Sequence, residues 1–516
     1  GTYRIFSLPA GTFSIRFTLP GFRPLTRRDI IVQLEQTTTL NISLEQSTIA
    51  EDITVIGKSP LIDVKSTTKG STMTKEVFMQ LPRNRDFTGL LSTVAGVQYE
   101  GNQGGLSVDG ASGGENMFYI DGTNVNSIHL GRQAQSMVME QVEEVKVTAS
   151  GYQAEFGGSM GGVVNVISRS GANEFHGDLY GYYNNNRLWM QGKGRDYLRQ
   201  NPYAYPYVAE YVNNDDLYYN GGKDRDDMQR FEAVFNLSGY ILKDKVWFFG
   251  SVNPVYSRTY GDRWFASDPA GDPNIDPKIN PRQGRPVYNF YRKDWNYNAQ
   301  VKLTAQLIKG MRMSLSFVNN FSKFRGALPG ITGTANKDYP WVKDFQNTIL
   351  PGKEAGYNFP NWSGNATIDY TAGNNLLISL RGGFARQNQA DQQVAPPSTI
   401  YTFQRSNMTL YPEIPDSLRR YSGWSTWPAP LPANLYETKK FITERGSVNL
   451  DLTYYMNFMG EHSLKGGVQF IRNAEDVDAS SSHPWVRIFW GTYYDRPDGV
   501  RVQGKYGYYE IRGDFY

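Results

Sequence analysis

From residue 171 onward the chain alternates apolar and polar residues, in paired runs that flank very short turns. "FEAVFNLSGY" and "VWFFGSVNPVYS" flank Lys243-Asp244-Lys245, and "NYNAQVKLTAQ" and "RMSLSFVNNFS" flank Ile308-Lys309-Gly310. "NATIDY" and "LLISLRGGFAR" flank Ala372-Gly373-Asn374-Asn375, and "GSVNLDLTYYM" and "HSLKGGVQFIRN" flank Gly460-Glu461. Successive side chains of a strand point to opposite faces. Ala366, Ile368 and Tyr370 therefore share one face, and Leu376, Ile378 and Leu380 share another. Between the pairs lie long segments, 255–293, 323–361 and 387–442, rich in Pro, Tyr, Trp, Asn and Asp. Soluble domains rarely repeat loops of that length. Outer-membrane barrels do so systematically, with short periplasmic turns and long external loops. The pattern predicts a mainly β fold: about ten to twelve strands of a transmembrane antiparallel β-barrel over 171–516. A soluble all-β protein with large insertions is the alternative.

Upstream the rules differ. Residues 1–46 alternate in short runs with turns at Pro9-Ala10-Gly11 and Pro20-Gly21, and "DIIVQLEQTTTLNISLEQ" adds two more expected strands. These are too few to bury a full core, so a partial β-sandwich that began before Gly1 is expected. Residues 47–65 form a linker with one β-prone run, Ile53-Thr54-Val55-Ile56, closed by Gly57. Residues 66–170 read as a compact α+β domain. "TKEVFMQLP" and "NRDFTGLLSTVAGV" predict short helices, the second starting near Asn84 or Asp86 and ending at Gly96. "GLSVDG", "NMFYIDG" and "VEEVKVTAS" predict short strands. "GGSMGGVVNVISRSG" then supplies tight glycine turns, followed by a strand, Val163 to Ile167, that is apolar on both faces and so covered on both sides.

Composition narrows the chemistry. Hydrophobic content is 39% and mean hydropathy −0.52, and no run of about 18 apolar residues marks a membrane helix. A barrel is compatible with these values, because only alternate residues of its strands face lipid. An aromatic content of 14% suits its interfacial girdles. There is no Cys, which removes disulfides and thiol chemistry. A net charge of +3 without a basic block gives nucleic-acid binding no support. The four His are scattered, without HExxH, so no metal site is expected. No catalytic constellation stands out. The adjacent acids Glu143-Glu144 and Asp226-Asp227 point opposite ways on a strand and are expected to be solvated.

Five segments, in order, resemble the TonB-dependent outer-membrane transporters, most closely their Oar-like branch. "GTYRIFSLPAGTFSIRFTLPGFRP" resembles the second half of a carboxypeptidase-regulatory-like domain, and "LPRNRDFTGLLSTVAGVQ" the opening of the plug. "FYIDGTNV" resembles the plug's central segment. "VEEVKVTASGYQAEFGGSMGGVVNVISRSGANEFHG" resembles its end with the first barrel strand, and "SGYILKDKVWFFGSVN" the first barrel hairpin. The resemblance implies a barrel of about 22 strands enclosing a plug, roughly half of that barrel being present here. It places plug-motif positions at Arg83, Arg85, Asp109, Gly110, Asp121, Gly122, Gly157, Gly158, Gly161, Gly162 and Asn165. Relatives carry an Arg before the first Asp-Gly, where this chain has Leu106-Ser107-Val108, so their plug–barrel ion cluster does not transfer. Arg83 and Arg85 are other candidates for buried plug charges, with an ordinary surface salt bridge the expected reading for each.

The resemblance also implies an importer at the outer membrane, with its N-terminal sandwich in the periplasm, that is not an enzyme. It would be energised by TonB at Ile53, Thr54, Val55, Ile56 and Gly57. The alternative is an outer-membrane structural or interaction protein in secretion or surface assembly. Aromatic loops nominate Tyr203, Tyr205, Tyr207, Trp424 and Trp427 as ligand contacts, with a peptide or oligosaccharide favoured over an iron chelate. No cofactor is expected. The segment 268–281, "DPAGDPNIDPKINP", has the hard oxygen donors of a weak Ca²⁺ loop, though repeated Asp-Pro more often makes turns.

Overall fold

The structure is a computed structural model. It describes residues 3, 5, 8, 11–32, 38–46, 53–56, 68–78, 80, 85–100, 105–129, 131–185, 197–200, 209–212, 227–263, 288–326, 356–373, 375–392, 400–404, 436–481, 485–489, 493–503 and 508–512.

In the N-terminal unit, β1 (Gly11–Phe17) and β2 (Leu25–Val32) pair antiparallel, with an irregularity between Phe13 and Ile15. β3 (Ile53–Ile56) lies parallel to β2, from Leu25↔Ile53 to Arg28↔Ile56. The expected strand over 38–45 does not form. Both sides of β2 are already occupied, by β1 and β3, so that segment finds no ladder there. It is held instead by a backbone bond from Arg23 N to Glu45 O (2.9 Å).

The second unit contains β4 (Lys69–Thr74), the single-turn helices α1 (Lys75–Phe78) and α2 (Thr88–Leu91), the hairpin β5 (Val97–Tyr99)–β6 (Leu106–Val108), β7 (Met117–Ile120), β8 (Thr123–Asn124), β9 (Val142–Ser150) and β10 (Val163–Ser168). Asp86 opens α2, its Oδ1 accepting from Thr88 Oγ1 (2.6 Å) and Gly89 N (3.2 Å). α2 is shorter than the sequence predicts. Thr93 N and Val94 N bond to carbonyls three residues back, tightening the last turn, and Gly96 then turns away at φ 83°. The main sheet runs β4-β9-β10-β7-β8. β10 sits at its centre, and Val163, Val164 and Val166 on its two faces are all buried, as the unbroken apolar run requires. Beside it, Glu144 of β9 is also buried, at 2% exposure, which corrects its expected solvation. An inner strand covered on both faces exposes neither parity. Phe87, Leu90, Leu91, Ile120 and Met137 close this unit's own apolar core.

The wall is a nine-stranded antiparallel sheet: β11 (His176–Asn185), β14 (Asp227–Leu242), β15 (Val246–Arg263), β16 (Tyr288–Ile308), β17 (Met311–Arg325), β18 (Gly356–Ala372), β19 (Leu376–Gln392), β21 (Tyr436–Asn457) and β22 (Glu461–Ser481). Shorter strands pair outside it: β12 (Tyr197–Gln200) with β13 (Ala209–Val212), β20 (Ile400–Gln404) with β23 (Trp485–Phe489) and β26 (Tyr508–Arg512), and β24 (Tyr493–Asp495) with β25 (Arg501–Gln503). The short turns are where the pattern places them, at Lys243–Lys245 and Gly310, the latter at φ 79°. The strands, however, run well into the segments read as loops: β15 continues to Arg263 and β16 starts at Tyr288. Beyond the lipid band both faces meet water, so the alternation that marks a strand disappears while the backbone ladder continues. Among the described residues no helix is long and apolar enough to cross a membrane.

Candidate functional site

The wall inverts the polarity of a soluble sheet. Phe235, Leu237, Val252, Val301, Leu315 and Val448 face outward and are exposed, whereas Glu232, Asn236, Ser251, Asn253, Gln300 and Lys302 face inward and are buried. Apolar outside and polar inside is the signature of strands that face lipid on one side. The inner face meets the β4–β10 unit, so the latter sits as a plug against the wall, and the seam between them is built largely from polar groups, with Val318 of β17 packed into the plug's apolar cluster.

Three anchors dominate it. In the first, Lys302 Nζ of β16 lies 2.9 Å from Asp121 Oδ1 and donates to Ser168 O at 3.1 Å. Asp121 forms the turn between β7 and β8 at φ 47°, and Ser168 ends β10. Ser168 closes the group by donating its N–H and its hydroxyl to the Asp121 carboxylate. Burial opposes ionisation of Asp121. The Lys302 charge and the Ser168 bonds outweigh it and hold the carboxyl below its usual range.

In the second anchor, Arg85 Nη1 lies 2.6 Å from Glu140 Oε1 of the plug, and its Nε lies 3.1 Å from Glu232 Oε1 of β14. Tyr182 of β11 donates to Glu140 Oε1 (2.8 Å), and the guanidinium stacks 3.7 Å above the Tyr182 ring. Burial works against the Arg85 charge, but the two glutamates more than offset it and raise its pKa. Arg85 is therefore not in the ordinary surface salt bridge expected of it. In the third, Glu155 of the plug meets Lys465 (2.7 Å) and Arg381 (3.4 Å) of the wall.

Neutral bonds fill the intervals. Gln141 Nε2 donates to Ser251 Oγ (3.1 Å), Gln135 Nε2 to Val318 O (3.1 Å), and Ser363 Oγ to Gln135 Oε1 (2.6 Å). On the wall an asparagine relay runs from Asn320 to Asn298 (2.7 Å) and from Asn298 to Asn253 (2.9 Å).

The other expected positions divide. Asp109, at φ 49°, pairs with Lys69 (2.7 Å) at the plug surface, and Gly110 follows it at φ 88°. Gly122 follows Asp121, also at φ 88°. Asn165 is buried in β10, and Gly157 and Gly158 end a short turn after Phe156. Gly161 and Gly162 are required by close approach: a Cβ on Gly162 would lie 2.6 Å from Val108 Cγ1, and one on Gly161 would lie 2.4 Å from Asn116 Oδ1. Gly162→Ala is accordingly expected to cost about 1–3 kcal/mol by overpacking, read as a lower melting temperature of the detergent-solubilised protein. Arg83, Gly57, Tyr203, Tyr205, Tyr207, Trp424, Trp427, Asp226 and the 268–281 segment lie outside the described residues. Among the described residues no cluster of metal-ligating side chains occurs.

Sequence reasoning missed Lys302, Glu140, Glu232, Glu155 and Arg381. A signal for two of them was present. Lys302 in "QVKLT" and Glu232 in "FEAVF" are charges set between lipid-facing apolar residues, and that parity turns them inward.

Known proteins are similar in sequence and in fold. The TonB-dependent Receptor Plug Domain matches residues 63–163. The chain is 31% identical over 546 aligned positions to the TonB-dependent transporter Oar of Myxococcus xanthus, a match covering 98% of this chain and 48% of that protein. It is 29% identical over 134 positions to the Ferrienterobactin receptor of Escherichia coli K12, covering 22% of this chain and 18% of that one. The chain thus spans about half the length of Oar and less of the second relative. In fold it is similar to the outer-membrane transporter YddB of Escherichia coli, with a TM-score of 0.52 at 13% identity, over 86% of this chain and 52% of that one. A matched plug, a relative similar along nearly the whole chain, and a plug sheet bound to the polar face of a strand wall lead to one conclusion: the chain belongs to the TonB-dependent receptors, a family of outer-membrane β-barrel transporters.

Proposed function

We propose that the protein imports a ligand across the outer membrane, driven by TonB pulling on the N-terminal side of the plug. The observation that carries this reading is the polar seam. A plug meant to stay would be welded to the wall by apolar packing, but here the apolar core lies almost wholly within the plug, with Val318 of β17 joining it from the wall, and most of the described seam consists of hydrogen bonds and ion pairs. Such contacts are exchanged for water at modest net cost once a passage opens. No covalent chemistry is involved.

TonB would bind at β3, the run Ile53–Ile56 followed by Gly57. One side of β3 pairs with β2, and among the described residues no strand pairs with its other side. An edge strand presents free backbone donors and acceptors, so a TonB strand can add there with loose sequence demands. The ligand would meet the outer loops first, among them Tyr203, Tyr205, Tyr207, Trp424 and Trp427, and their aromatic character suits a peptide or oligosaccharide. Capture of the full protein by an immobilised TonB C-terminal domain tests the reading. Deletion of residues 52–58 is expected to reduce capture about tenfold or more, as loss of a whole augmenting strand should. Equal capture with and without the segment removes TonB from β3.

A further inference from the structure

The inner face of the wall carries a row of side-chain amides that seating the plug does not by itself explain. Asn253, Asn298, Asn320, Asn361 and Gln387 are direct cross-strand partners on the five adjacent strands β15 to β19. The row of Ser251, Gln300, Val318 and Ser363 lies beside it on the same face, nearer the short turns. In that lower row the described side-chain bonds cross to the plug, as between Gln141 and Ser251 and between Ser363 and Gln135.

In the amide row the bonds run along the wall instead. Asn320 donates to Asn298 (2.7 Å), Asn298 to Asn253 (2.9 Å), and Asn253 to Ala233 O (2.7 Å) and Glu232 Oε1 (3.4 Å). An amide carries both donors and acceptors, so such a row can bond end to end. Its direction is the one a carboxylate imposes: each amide donates towards Glu232 and leaves its own oxygen for the next donor.

The relay stops one strand short. Asn320 Oδ1 is buried and finds no hydrogen-bond partner among the described residues. The donor able to continue the row stands beside it. Asn361 is the cross-strand partner of Asn320 and is 2% exposed, but its Nδ2 donates to Ala134 O of the plug. Directly opposed side chains have Cβ atoms about 4.5–5.5 Å apart, within reach of an amide-to-amide bond. A buried acceptor left unpaired raises the free energy of the state that contains it, and that state is the seated plug.

We propose that Asn361 is a two-position latch. With the plug seated it holds Ala134. When that segment leaves, it donates to Asn320 Oδ1 and completes the row from β18 to Glu232. The opened wall thereby satisfies an acceptor that the closed one strands, which lowers the cost of opening. The latch rests on the import reading in one respect, that the plug leaves the wall.

The chain has no cysteine, so a single thiol can report on the seam. Ser363, 3% exposed and on the same face of β18 as Asn361, is replaced by cysteine, which reacts with a maleimide when plug and wall part. Its labelling rate in the full protein is compared across a cycle of Asn320→Ala, Asn361→Ala and the two together. The lost bond from Asn320 to Asn298 and the space left by the shorter side chain contribute equally with Asn361 present or absent, so they cancel. Asn320→Ala is expected to lower the labelling rate about three- to tenfold relative to its effect in the Asn361→Ala background, the share of one hydrogen bond formed on opening. A leucine cycle at the same two positions, which fills the space, guards against a folding defect in either alanine variant. An equal effect of Asn320→Ala in both backgrounds, as when water alone serves Asn320 Oδ1, would overturn the latch. Coupling of the opposite sign would do so too, because it places the Asn320–Asn361 bond in the seated state. Neither result depends on capture by TonB, so the import reading and the latch fail separately.

Discussion

Replacing Lys302 by methionine is expected to destabilise the seated plug by about 3–5 kcal/mol, the cost of leaving a buried charge without its partner. The Asp121 side chain is 5% exposed and that of Lys302 9%, so water cannot take the place of the missing ammonium. The loss would be local. Asp121 makes the turn that joins β7 to β8, and Ser168 closes β10, so Lys302 fixes three elements of the plug to one strand of the wall. Hydrogen exchange of β7 and β10 in the full protein reads the opening free energy directly. Asp121→Asn combined with Lys302→Met should recover much of the loss, because no unpaired charge then remains. The pH dependence follows from the lowered pKa of Asp121. A depressed carboxyl contributes stability that is fully present above the ordinary value near 3.9 and is lost as pH falls through the lower folded value. In Lys302→Met burial is left to raise the Asp121 pKa, so the difference between the unaltered protein and the variant should shrink as pH falls from that raised value through the ordinary carboxyl range, and be smallest in acid.

The wall was legible in the sequence because lipid imposes a strict period of two, and the turns were legible because Asp244 and Gly310 must take positive φ. β10 was legible for the opposite reason, since an unbroken apolar run fits only a strand covered on both faces. The strand tops were not, because above the membrane nothing enforces alternation. The site was half legible. Asp121 and Arg85 stand in short motifs, but their partners Lys302 and Glu232 lie 181 and 147 residues away. No local rule links positions so distant. Parity turns Lys302 inward without saying which plug residue it will meet. Arg85 illustrates the same gap: an Arg shortly after a proline reads as a surface charge until the wall arrives beside it.

Arg85→Leu is the second large effect expected, again about 3–5 kcal/mol, since it strands a buried carboxylate. The Glu140 side chain is 1% exposed and that of Glu232 3%, and Arg85 touches both. Arg230, 3.3 Å from Glu232, still serves one of them, so the loss falls mainly on Glu140. Arg85→Lys should recover only part of it. An ammonium is a single point charge and cannot fork between two carboxylates while stacking on Tyr182. The two anchors share no residue, so their costs are expected to add. Together they approach the whole stability of an ordinary domain, about 5–15 kcal/mol. The Arg85→Leu, Lys302→Met double variant should thus leave the plug unseated while the wall persists, seen as rapid exchange confined to β4–β10. Each single variant should keep the plug in place. A cost well below the sum would mean that the seam opens as one cooperative unit, so that breaking either anchor already frees the other. For an importer that outcome carries its own consequence, because TonB would then need to overcome one anchor, not all three, to open the passage.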